Sequence, residues 1–303
     1  MAGSNTVTVA GSPPTVRASY ESMSVSRFAS LWALYTLTLR QYLRGKRWLV
    51  VGLLFLLPAG MAILVRLTAH NVPPIALEFI LAQMFIPQAL LPFAALLYAS
   101  GMVLDEQEEQ TITYLLIRPI SKWSLYVVKL LATLTTTVCL VALFTALTFA
   151  AIYLGAESGD NIPLRCLKTI SIHSLATIAY CSLFGLLSLI TSRILVIGIV
   201  YAAVVEGMLA NLPFGIRLVA VIYYARVIAY RTMSFMVPVR RGNSVDFAAE
   251  IWQFDVRLDP TLAEHPTVFA CVATLLVASL VCTLIGAWLC SQREFHVKTP
   301  EKA

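Results

Sequence analysis

The sequence predicts an all-α membrane protein: six transmembrane helices, an N-terminal amphipathic interfacial helix, and a short cytoplasmic helix between the second and third spans. Three observations predict it. Of 303 residues, 59% are hydrophobic and only 13% charged, with a mean hydropathy of +0.80. A soluble chain carries about a quarter charged residues. Six apolar runs approach or exceed the ~20 residues a helix needs to cross the hydrocarbon core. Finally, most charges fall in the links between those runs. The net charge of +6 therefore belongs to membrane topology, and no nucleic-acid partner is expected.

Residues 1–26 are rich in Ser, Thr, Pro and Gly and lack an apolar stretch of signal-peptide length, so they read as a disordered cytoplasmic tail. From Arg27 the apolar residues Phe28, Leu31, Trp32, Leu34, Tyr35, Leu39, Tyr42 and Leu43 recur mostly at steps of three and four. Arg40, Arg44, Lys46 and Arg47 gather at the end. This pattern describes an amphipathic helix over 27–46 lying on the membrane, its basic end toward anionic headgroups of the membrane lipids; the alternative is a first span extended inward.

The spans read as 48–67, 77–104, 123–154, 168–190, 194–212 and 266–290. The second and third exceed the minimum and should tilt or project beyond the bilayer, and Pro87 and Pro92 should bend the second. An even number of spans puts both termini on one side. Arg17, Arg27, Arg40, Arg44, Lys46 and Arg47 before the first span, Arg118 and Lys122 after the second, Arg193 after the fourth, and Arg293, Lys298 and Lys302 at the end make that side cytoplasmic. Two short links, 68–76 and 155–167, face outward with Arg165 as their single Lys or Arg. The third outer link, 213–265, carries six arginines, which a long translocated loop tolerates. Its mixture of apolar stretches with Arg217, Arg226 and Arg231, and with Trp252 and Phe254, suggests short helices dipping into the outer headgroup layer with snorkelling arginines, or else a plain folded loop.

The link after span two holds the most information. Asp105, Glu106, Glu108 and Glu109 are expected to open a short helix, where carboxylates suit the positive end of the dipole. An apolar stripe of Ile112, Leu115 and Leu116 follows, and Pro119 stops it. An acidic head with an apolar face asks for a partner. Metal or acid–base chemistry is disfavoured, because consecutive acids splay around a helix and no His joins them.

These residues resemble the membrane subunits of ABC transporters of the ABC-2, or type V exporter, class. The pattern of an acidic pair, Glu-x-x-Thr-hydrophobic, Leu-Leu-x-Arg-Pro and a basic helix start is matched by Glu108, Glu109, Thr111, Ile112, Leu115, Leu116, Arg118, Pro119 and Lys122, and Lys129 falls where many members carry a lysine. Gln110 departs from the Gly found in many members. The amphipathic elbow helix, the six spans, the long last outer link and the terminal Arg293-Glu294-Phe295 extend the similarity from about residue 27 to the end.

The resemblance implies a permease domain over 27–303 whose link 105–119 is a coupling helix seated in a groove of a separate ABC ATPase. A second permease chain, as homodimer or close hetero-pair, completes the pathway. The expected location is the cell (inner) membrane. ATP and Mg are expected on the ATPase and no cofactor on this chain. The sequence has no G-x-x-x-x-G-K-[ST], since Gly45-Lys46 is followed by Arg47 without the upstream glycine.

Within the spans, Glu206 stands out, because a carboxylate at membrane depth costs on the order of 2.5–3.5 kcal/mol on insertion scales. It reads either as a pathway or interface residue, paired with an arginine such as Arg217, or as a structural hydrogen-bonded Glu. His173, Lys168 and the threonines of span three (Thr133, Thr135, Thr136, Thr137, Thr145, Thr148) read as packing residues. Six singly placed cysteines suggest neither a zinc site nor disulfides. No catalytic residue is expected: G-x-S-x-G and H-E-x-x-H are absent, which disfavours an intramembrane hydrolase. The same architecture would also serve an ATPase-driven membrane scaffold that transports nothing.

Overall fold

A computed structural model describes residues 27–69, 72–108, 121–155, 161–191, 193–212, 215–238, 244–252 and 266–292. The tail 1–26, Phe254 and the terminal Arg293-Glu294-Phe295 lie outside them. Six helices are long and apolar enough to cross a membrane: Arg47–Thr68, Pro74–Met102, Lys122–Tyr153, Ile162–Ile190, Ile194–Asn211 and Val268–Gln292. They are spans one to six of a multi-pass, all-α membrane protein.

The N-terminal helix, Arg27–Arg44, is separate from span one. It buries Leu34, Thr38 and Tyr42 and leaves Trp32, Leu37 and Leu43 exposed. Its inner stripe packs along span three: Tyr35 donates to Thr135 (3.1 Å), Tyr42 shares a hydrogen bond with Thr133 (3.1 Å), and the Tyr42 ring meets Tyr98 edge-on.

Span two shows how a proline is absorbed. Pro74 stands in the first turn, where its missing N–H costs nothing. Around Pro87 the helix widens into a π-helical stretch, Glu78–Leu90, before Leu91–Glu108 resumes α geometry. A proline inside a helix both lacks a donor and crowds the carbonyl a turn earlier, and the wider turn relieves that conflict. Pro92 is the second residue of the resumed α segment and likewise leaves a carbonyl one turn back without a backbone donor.

Span four begins at Ile162, six residues before the sequence pattern suggests. Asn161 adopts a left-handed conformation (φ 78°) and Pro163 fills the first turn, so the chain turns sharply and enters the helix early. Arg165 is therefore a helical residue of span four and not part of a free link. Span four sits at the centre, against spans two, three and six, and much of it and of span two is buried. Spans one, five and six turn rows of leucine, isoleucine and valine outward, Leu53, Leu57, Val196, Val200, Leu280 and Leu284 among them, as lipid-facing helices do.

The ends of the bundle differ. At the link end, where 109–121 joins spans two and three, Met102, Tyr126, Leu130, Leu189 and Cys290 form a small apolar cluster of their own. At the opposite, loop end, span five passes from α to π geometry over Ala202–Met208 and stops at Asn211. After a short turn at Gly215–Val219 the chain returns as a loop helix, Val221–Thr232. Two short antiparallel strands, Met236–Pro238 and Ser244–Asp246, follow, and Asp246 caps the small helix Phe247–Ile251 through the Ala248 N–H.

The loop helix does not lie on the bundle as a headgroup-level helix would. Ile222, Tyr223, Ala225, Arg226, Val227, Ile228 and Ala229 are all buried, and the helix packs on spans two, four and six. Arg217 and Arg226 are buried instead of snorkelling outward, and Trp252 packs tilted on Phe79 and edge-on against Phe235. Non-helical backbone at such depth is stable only where protein satisfies it.

Candidate functional site

At the link end, Asp105, Glu106 and Glu108 continue the helix of span two. They do not open a new helix. The reason is local: nothing between Leu104 and Glu108 breaks a helix, and Glu and Gln are strong helix formers. Glu109, Thr111, Ile112, Leu115, Leu116, Arg118 and Pro119 lie outside the described residues.

The feet of the link are firmly held. The Lys129 ammonium, buried, donates to the Met102 carbonyl (3.2 Å) and ties the base of span three to span two. The Cys290 thiol donates to the Lys122 carbonyl (3.4 Å) and ties span six to the first residue of span three. Ser121 and Ser124 share a hydrogen bond at the helix start (2.6 Å). From Lys122 to the Tyr42–Thr133 contact is about 16 Å at 1.5 Å per residue. Arg40, Arg44 and Lys46 are exposed near that junction.

Deep in the bundle, Glu206 is completely buried and accepts three hydrogen bonds. Tyr201 donates to Oε1 (3.0 Å), the Val221 N–H to Oε1 (3.0 Å) and the Ile222 N–H to Oε2 (2.9 Å). Val221 and Ile222 are the first residues of the loop helix, so the carboxylate caps its N-terminus and meets the positive end of its dipole. One turn on, Arg226 donates to Asn211 Oδ1 (2.8 Å) at the end of span five and to Gln88 Oε1 (3.2 Å), halfway along span two. Burial lowers the Arg226 pKa to about 10, still well above neutrality. Arg217, the partner the sequence suggests for Glu206, lies over the Tyr223 ring at 5.2 Å.

A second buried carboxylate, Glu78, escapes the sequence reading. It opens the π-helical stretch of span two, is 0% exposed, and is held bidentate by Arg165 (Nε to Oε2 3.0 Å, Nη2 to Oε1 2.9 Å) and by the Tyr153 hydroxyl (2.5 Å). Arg165 also donates to the Ser234 carbonyl (3.1 Å) and lies over the Phe235 ring. Lys168 donates to the Thr232 carbonyl (2.9 Å). This cluster joins spans two, three and four to the far end of the loop helix. The signal was a lone carboxylate inside an apolar run, with an arginine at the edge of another.

The remaining candidates are packing residues in this fold. His173 is buried, with Nδ1 on Thr145 Oγ1 (3.1 Å). Thr133, Thr136, Thr137 and Thr148 donate to carbonyls a turn back in their own helix. All six cysteines are free, and among the described residues no group of three or more His, Cys, Asp or Glu is arranged to hold a metal.

A family model described as a protein of unknown function, DUF2705, matches residues 63–217. That is just over half of the chain, and the chain belongs to this family. The matched region includes the link and both buried glutamates. No curated protein matches the chain.

Proposed function

We propose that this DUF2705 member is the membrane-spanning permease subunit of an ABC transporter of the ABC-2, type V exporter class. It couples ATP hydrolysis on a separate ATPase to export of a substrate across the cell (inner) membrane. The observation that carries the reading is the Glu108-Glu109 to Arg118-Pro119 motif, standing in the link between spans two and three. Its feet are braced by Lys129, Cys290 and the apolar cluster around Tyr126. In this reading the link end is cytoplasmic, as are both termini. The N-terminal helix is an elbow at the cytoplasmic leaflet, with Arg40, Arg44 and Lys46 toward anionic lipid.

The mechanism follows from the chain's parts. Asp105, Glu106, Glu108 and Glu109 give the link an acidic head, and Ile112, Leu115 and Leu116 supply the apolar face that docks in the ATPase groove. Arg118 and Pro119 end the coupling helix, and Lys122 begins span three. ATP and Mg bind the ATPase pair, whose closure displaces the two links of a permease homodimer. Glu206 serves in this scheme as the cap that secures the first turn of the loop helix beside the pathway.

Co-expression with an ABC ATPase, sought first in the neighbouring reading frames, followed by affinity purification, tests the assignment. Leu115→Asp or Leu116→Asp, which place a charge on the docking face, are expected to abolish co-purification of the ATPase while the chain still inserts. Unchanged assembly and ATPase activity in both variants would refute the coupling role.

A further inference from the structure

We propose that Tyr126 is the positioning residue through which movement of the link is delivered to spans four and six. The inference rests on the permease reading above and goes beyond the link itself to the path that motion takes into the bundle.

Tyr126 lies one helical turn into span three, four residues after Lys122, and is 2% exposed. Its ring fills a slot made by two glycines on different helices. A Cβ added at Gly286 of span six would fall 2.6 Å from Cζ of Tyr126 and closer still to its hydroxyl. One added at Gly185 of span four would fall 3.3 Å from the hydroxyl. The phenol therefore bears directly on the backbone of span six, and at Gly185 it shares the gap beside span four with Leu130, whose Cδ1 would lie 3.2 Å from the added Cβ. Between two ordinary side chains a small displacement is absorbed by rotamer shifts. A planar ring seated against backbone has no such slack, because close-packed contacts resist compression.

The surroundings make the ring move with the link. Lys129, on the next turn, bonds span three to Met102 of span two, so both feet of the link are joined at the level of the slot. Met102 Cε would also lie 3.6 Å from a Cβ added at Gly185. Span six is otherwise turned largely outward, with Leu276, Val277, Leu280, Val281, Leu284 and Trp288 exposed, so this contact is a firm point of purchase on it. The Tyr126 hydroxyl has no hydrogen-bond partner among the described residues. What the slot uses is the shape of the ring.

The test uses the full permease–ATPase complex in lipid nanodiscs. Ketone-bearing residues at positions 154 and 269, exposed by 71% and 82% at the loop ends of spans three and six, carry spin labels without disturbing the cysteines. The distance distribution is measured without nucleotide and after trapping with ATP and vanadate. The unsubstituted complex is expected to shift on trapping. Tyr126→Ala is expected to assemble and hydrolyse ATP but lose the shift, Gly286→Ala to lose it because the ring is expelled, and Tyr126→Phe to keep it. A purely structural role would instead reduce assembly and leave the shift intact in the complexes that form. A shift of unsubstituted size in Tyr126→Ala overturns the proposal. Should that variant fail to assemble, Tyr126→Leu is judged by the same criterion. If the unsubstituted chain captures no ATPase, the permease reading fails, whereas a loss confined to the slot variants speaks to Tyr126 alone.

Discussion

Two glutamates, Glu78 and Glu206, are equally buried in the same bundle and are neutralised by different physics. Glu78, at the loop end of span two, meets a full counter-charge: Arg165 grips it bidentate and Tyr153 closes the site. Glu206, deeper, meets the first two N–H groups of the loop helix and Tyr201, with Arg226 one turn along. One carboxylate is paid for by a cation and the other by a helix terminus. An ion pair fixes two side chains strongly, but its loss strands a charge. A capped terminus spreads the stabilisation over several weaker donors, so single losses are milder. The loop helix is held by the two schemes at opposite ends, Glu206 at its start, Lys168 on its last carbonyl and Arg165 two residues beyond its finish.

Arg165→Ala should expose this difference most strongly. It leaves Glu78 buried without its counter-charge, and breaking a buried pair from one side costs about 3–5 kcal/mol. The expected outcome is a large loss of resistance to denaturation in detergent, followed by thermal or SDS titration, with faster hydrogen exchange around 232–235 where Arg165 holds the Ser234 carbonyl. A loss below ~1 kcal/mol would place this ion pair with exposed surface pairs.

Glu206→Leu comes next. It removes the acceptor for two backbone N–H groups and one hydroxyl, and orphaned buried donors cost about 1–3 kcal/mol each where water cannot reach them. Because Asn211 and Gln88 still hold Arg226, the loop helix should stay docked while its first turn frays. Because the substitution also removes the desolvation cost of the buried carboxylate itself, the expected net stability loss is about 2–3 kcal/mol, with hydrogen exchange accelerated at Val221 and Ile222 and little changed at Ile228. Uniform acceleration along the helix would show that Glu206 holds the whole element.

The spans are legible because a bilayer writes its thickness into hydropathy, and five of the six both begin and end within a few residues of the sequence pattern. Span four resisted: Arg165 interrupts the apolar run at its start, and a basic residue there reads as a topology signal. Only the fold reveals its carboxylate partner, 87 residues away along the chain. The loop arginines mislead in the same way, since snorkelling is the default for an arginine near a membrane, yet Arg217 and Arg226 are enclosed by a helix that packs inside the bundle. Glu206 could be singled out in the sequence by its cost at membrane depth, but not its partners, which are backbone N–H groups that no side-chain pattern announces. The glycine slot around Tyr126 was invisible for a related reason: Gly185 and Gly286 acquire meaning only when two distant helices bring them to one ring. The acidic head of the link was placed at the start of a helix because the dipole favours it there. Helix propensity and the absence of a stop residue outweigh that preference.

The smallest effect sharpens the comparison most finely. Tyr201 and Tyr153 each donate one hydroxyl to a buried carboxylate, but at Glu206 the hydroxyl is one of three donors of similar kind, whereas at Glu78 it supplements a guanidinium. Tyr201→Phe removes one of the three and leaves both backbone N–H groups in place, so the carboxylate stays satisfied on both oxygens. Deleting a single hydrogen bond of this sort costs about 0.5–1.5 kcal/mol, with the upper part of that range favoured because the acceptor is charged. The T-shaped contact of the Tyr201 ring with Phe184 survives the change, so the loss isolates the hydroxyl. Pairing it with Glu206→Leu in a double-mutant cycle should give a coupling close to the single-mutant loss, since the two groups share that one bond. A coupling near zero would mean that the hydroxyl contributes nothing to holding the carboxylate, and that the helix terminus alone neutralises Glu206.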